Sequence, residues 1–107
     1  MNKNFESTIL ELEENVLKRF EINVNGGTLF LYNVVTNEFW YGNKSALRVL
    51  DMLDGKIAVE HIYYKYHKFY PNINFDDIKS SIGSLLDELL QKKFLKITNL
   101  EAKNEFV

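Results

Sequence analysis

Few side chains in this 107-residue sequence are spaced for chemistry. His61 and His67 are six positions apart, so they miss the shared i, i+4 face that a helical metal pair uses. They stand among Tyr63, Tyr64 and Tyr66 as surface or boundary residues. Ser45, Ser80, Ser81 and Ser84 have neither an adjacent histidine nor a glycine elbow, so nothing activates a hydroxyl nucleophile. Gly26-Gly27 lacks the spacing of a phosphate loop and reads as a turn. The carboxylates are spread along polar helix faces. With no cysteine, the chain has no thiolate and no means of ligating an iron–sulfur cluster by itself. No catalytic residue, metal site or cofactor is expected, which leaves binding.

Two stretches exceed what folding alone asks for. Glu38-Phe39-Trp40-Tyr41-Gly42 reads as an edge strand, with Phe39 and Tyr41 on one face and Trp40 on the other. Such an edge offers unpaired N–H and C=O groups to an added strand, unless the N-terminal residues cover it with Trp40 packed beneath. The second stretch is a helix whose apolar row is joined by another containing Leu86 and Leu90, a stripe that also holds Lys79 and Gly83. Those leucines either complete an ordinary core or, beside an aromatic edge strand, wall a groove for an extended peptide.

The elements around these stretches follow from periodicity. Alternation from about Asn15 places Val16, Phe20, Ile22 and Val24 on one side of a first strand, and Asn25-Gly26-Gly27 supplies a hairpin turn. Thr28 to Val34 is a second strand and Glu38 to Gly42 a third, giving an antiparallel meander that helices must cover on one face. Asn43 caps a helix carrying Ala46, Val49, Leu50 and Leu53, which Asp54-Gly55 ends. A second helix buries Val59, Ile62, Tyr63 and Tyr66. Pro71 breaks the pattern, and Asn74 caps a third helix with Asp76 and Asp77 in its first turn, where the helix dipole favours negative charge. Phe75, Ile78, Ile82, Leu85, Leu86 and Leu89 form its inner face. Residues 1–13 form an arm or short helix, residues 14–98 the domain, and residues 99–107 a tail.

The bulk numbers agree with one packed domain: 46% hydrophobic, 14% aromatic, with a formal net charge of −2. That charge argues against a dedicated nucleic-acid binder. No run of about 18 apolar residues is present to span a bilayer. The acidic N-terminal stretch is unlike a secretion signal, so a cytoplasmic location and no membrane role are expected.

The ordered set Asn43, Ala46, Leu50, Asp54-Gly55, Val59, Ile62, Tyr70, Asp77, Leu86, Leu89 and Phe94-Leu95 resembles the PqqD-like proteins, the RiPP recognition elements, over roughly residues 14–98. The resemblance implies an α+β, winged-helix-like fold, a three-stranded antiparallel sheet followed by three α-helices, without a reaction of its own. It implies that the leader of a ribosomally made precursor peptide adds as a strand to Glu38, Phe39, Trp40, Tyr41 and Gly42. Ile78, Ile82, Leu85 and Leu86 would then form the apolar wall. The partner it implies is a modifying enzyme, often a radical S-adenosylmethionine enzyme, or a lasso-type peptidase. Two departures stand out. Ala58 replaces the usual Thr or Ser, and the third strand is unusually aromatic.

Two other readings fit the same inventory of elements. A winged-helix DNA-binding regulator would use Asn74 to Lys93 as its recognition helix, but that helix has four acidic residues and no arginine for phosphate or guanine. A structural dimerisation module would pair the edge strand with its own copy.

Overall fold

In the computed structural model, which describes residues 3–98, a 3-10 turn (Lys3–Ser7) leads into β1 (Leu10–Leu12). Strands β2 (Val16–Glu21), β3 (Thr28–Asn33) and β4 (Glu38–Gly42) follow, then helices α1 (Lys44–Leu50), α2 (Val59–Phe69) and α3 (Phe75–Gln91), and finally β5 (Leu95–Ile97). The expected α+β plan of a three-stranded antiparallel sheet and three helices is therefore what the chain forms.

Sheet order β2-β3-β4 places β3 in the middle, with β4 on an edge. Alternation sends Leu29 and Leu31 of β3 under the helices, where both are fully buried, and leaves Phe30 and Tyr32 on the outer face. The first hairpin departs from expectation. Strand β2 stops at Glu21, and residues 22–27 make a wider loop held by the Val24 and Gly27 N–H groups and the Thr28 hydroxyl. Asn25, Gly26 and Gly27 all have positive φ, which three successive residues cannot adopt within a ladder. Ile22 and Val24 consequently stand exposed rather than on the buried side.

Asn43 caps α1 as its sequence predicts, its side chain accepting from the Ala46 N–H at 3.0 Å. The helix ends at Leu50, a turn before Asp54-Gly55. The Met52 and Leu53 N–H groups bond only three residues back, to Val49 and Leu50, so the chain tightens out of the α-helix. The Asp54 carboxylate then accepts from the Lys56 and Ile57 N–H groups, with Gly55 at positive φ between. Helix α2 buries Val59, Ile62, Tyr63 and Tyr66 and has no side-chain cap at Ala58. Helix α3 is capped by Asn74, which accepts from the Asp76 N–H. Its other end is a Schellman turn. The Lys93 N–H bonds to Leu90, the Phe94 N–H bonds to Leu89, and Lys93 takes the left-handed conformation that glycine usually fills.

The first residues are more than an arm. Phe5 is 7% exposed and Leu10 1%, both inside the core with Phe94 and Leu95. Strand β1 pairs antiparallel with β5, Leu10 opposite Ile97 and Leu12 opposite Leu95, and Ile9 bridges to Ala58. A three-residue strand has too little alternation to be seen in sequence, and its partner lies at the far end of the domain. The expected tail, residues 99–107, lies outside the described residues.

Candidate peptide-binding groove

Which backbone groups of β4 face outward follows from the ladder. The Val34 N–H donates to the Asn15 carbonyl, so that pair is of the hydrogen-bonded type. Pair types alternate along an antiparallel ladder, and residues of a middle strand alternate their partners. Leu29, Leu31 and Asn33 therefore bond to β4, through their partners Gly42, Trp40 and Glu38. The N–H and C=O groups of Phe39 and Tyr41 point to the open edge. Among the described residues no strand occupies that edge, because the N-terminal residues pair with β5 instead.

Beside this edge runs a groove of about 420 Å³ between β4, α1 and α3. Trp40 and Gly42 line its β4 side, Ala46 and Val49 its α1 side, and Ile78, Ile82 and Leu85 its α3 wall, with Tyr66 and Ile73 also contributing. Asn43, Ser45, Asp77 and Ser81 supply its polar lining. The Trp40 indole N–H donates to a Glu88 carboxylate oxygen at 2.8 Å, and the Lys92 ammonium sits 3.3 Å from the same oxygen. The indole hydrogen bond first, and Lys92 second, hold the Glu88 carboxyl below its ordinary range. The other end of the indole lies across Gly42, where any Cβ would collide with its ring. Gly42 is thus required by a neighbouring side chain rather than by its own backbone angles.

Of the residues expected to bind peptide, Trp40, Gly42, Ile78, Ile82 and Leu85 come together around the groove. Phe39 and Tyr41 project from the opposite face of the sheet, and Glu38 is exposed at the start of β4 outside the lining. Leu86 is a correction. It is fully buried, because Ile82, Leu86 and Leu89 make the i, i+4, i+7 row that meets the core, whereas Leu85 sits on the groove flank of that row. The α1 wall was missed as a site. Ala46 and Val49 are recognisable as a buried row, but nothing in their spacing says that this row also lines a groove beside β4 and α3. The small residues Ser45, Ala46 and Ser81, which leave the groove room, are the signal that was available.

On the outer face, the Tyr32 and Phe39 ring centroids are 4.5 Å apart, and those of Phe30 and Tyr41 are 5.2 Å apart. His61 is exposed and His67 packs edge-on to Phe75 at 5.5 Å. Among the described residues no three His, Cys, Asp or Glu side chains cluster as metal ligands would. No family model, curated protein or solved structure matches this chain.

Proposed function

We propose that this protein is a non-enzymatic RiPP recognition element, which captures the leader of a ribosomally synthesised precursor by strand addition to β4 and presents it to a separate enzyme. The single observation that carries this reading is the juxtaposition of an unpaired strand edge with an apolar groove. Backbone hydrogen bonds at Phe39 and Tyr41 would fix an extended chain, at about 0.5–1.5 kcal/mol net each. A side chain entering between Trp40 and Leu85 would add roughly 1.5–3 kcal/mol if fully buried. After association costs, an affinity near the micromolar range follows.

The resemblance suggests the partner, a radical S-adenosylmethionine enzyme or a lasso-type peptidase, acting in the cytoplasm where precursors are made. No helix among the described residues is long and apolar enough to cross a membrane. The exposed side of α3 carries Asp76, Asp77 and Glu88, which suits duplex DNA poorly. The test is an amide chemical-shift titration of labelled protein with a leader peptide encoded beside it. Shifts gathering on Phe39, Tyr41 and residues 78–85 are expected. A flat titration, or shifts with duplex DNA alone, would overturn the reading.

A further inference from the structure

The outer face of the sheet carries more aromatic surface than a solvated face needs. Facing residues form two rows across the three strands, Leu17–Tyr32–Phe39 and Arg19–Phe30–Tyr41. In each row the ring on β3 is half-buried, whereas at the edge Phe39 is 59% and Tyr41 60% exposed. The two charged residues on this face, Arg19 and Glu21, pair with each other. At the β4 edge both rows end in uncharged rings, on the two residues whose backbone groups face outward.

A strand laid against β4 must follow its pleat. Residues opposite Phe39 and Tyr41 turn their side chains to the outer face, and the residue opposite Trp40 turns into the groove. A ligand that needed only the groove would alternate, apolar inward and polar outward. Here the outward positions abut aromatic rings instead. We infer, on the reading that β4 takes a peptide strand, that the preferred segment has three consecutive apolar residues. Two outward aromatic or β-branched residues, continuing the rows of Phe39 and Tyr41, flank one inward aliphatic residue. Phe39 and Tyr41 are then specificity-determining residues on the face opposite the groove.

The probes are two synthetic peptides, acetyl-TKTYIYTKT-amide and acetyl-TKTSISTKT-amide, which share the inward isoleucine and differ at the outward positions. Trp40 is the sole tryptophan, so its emission reads binding to the full chain. The tyrosine peptide is expected to bind roughly tenfold more tightly, the combined size of two cross-strand aromatic pairs. In the Phe39→Ser, Tyr41→Ser double variant, both sites being exposed, the preference for the tyrosine peptide over the serine peptide should vanish. A thermal melt verifies that the variant is folded. Equal affinities of the two peptides for the native protein would overturn the inference and leave strand addition standing. Failure of both peptides and of the encoded leader to bind would overturn strand addition as well.

Discussion

The side-chain amide of Asn33 donates to the backbone carbonyl of Lys93 at 2.7 Å, tying the end of β3 to the C-terminal turn of α3. Its oxygen accepts from the Val35 and Thr36 N–H groups at 2.9 and 3.1 Å, so the same side chain shapes the turn into β4. At 3% exposure, Asn33 is a buried polar residue whose donor and acceptor are both engaged. The two walls of the groove, β4 and α3, are thereby referenced to one residue.

Asn33→Ala is expected to destabilise the domain by about 1–3 kcal/mol, since it leaves the Lys93 carbonyl and two turn N–H groups without their partner. Denaturant unfolding measures this. A loss under half a kcal/mol would mean that water replaces the amide.

Leu85→Asp should weaken leader binding at least tenfold while leaving the fold intact, because Leu85 is half-buried on the groove wall. Ile82 is the wrong residue for this test. At 3% exposure it belongs to the core as much as to the groove, and a charge there would unfold the domain. Calorimetric titration with a melting curve on the same sample separates the two effects.

Protonation of Glu88 should appear in the emission of Trp40. The carboxylate accepts the indole N–H, so its folded pKa lies below the unfolded value. Its contribution is complete above the ordinary glutamate range and is lost as pH falls through the lowered folded value. The energy is small because the pair is solvent-exposed. An acid fluorescence titration should show a step below the ordinary glutamate range, absent in Glu88→Gln. A step that persists in that variant would assign it elsewhere.

Two helix ends are open to improvement. Ala58 has extended backbone angles at the N-cap of α2 and no side-chain acceptor, so Ala58→Ser should stabilise by about 1 kcal/mol. Lys93 holds φ at 67°, so Lys93→Gly should relieve strain and stabilise by roughly 0.5–1 kcal/mol. Each would raise the melting temperature by about 4–8 °C per kcal/mol.

What could be read from the sequence was whatever repeats or caps locally. The rows of α2 and α3, the Asn43 and Asn74 caps and the alternation of β3 and β4 each span enough residues to declare a period. The edge position of β4 followed from chain order. What could not be read depended on distant partners or on a few residues. The β1–β5 ribbon is three residues a side, and α1 stops early although Leu53 continues its apolar spacing. The first hairpin widened because Asn25, like its two glycines, has a positive φ. For the groove, residue types on β4 and α3 could be seen in advance. The α1 wall and the core position of Leu86 needed the packing.

The β1–β5 pairing joins Leu10 to Ile97 across nearly the whole described length. Closing so large a loop carries a high entropic penalty until the intervening elements have drawn its ends together. The hairpins and helices can therefore assemble first, with the ribbon zipping last and opening first. Native-state hydrogen exchange should find the Thr98 and Glu13 amides, which donate to Ile9 and Phe94 beside the ribbon, less protected than those of β3. The groove, on the far side of this seam in folding order, would then outlast it under mild denaturant.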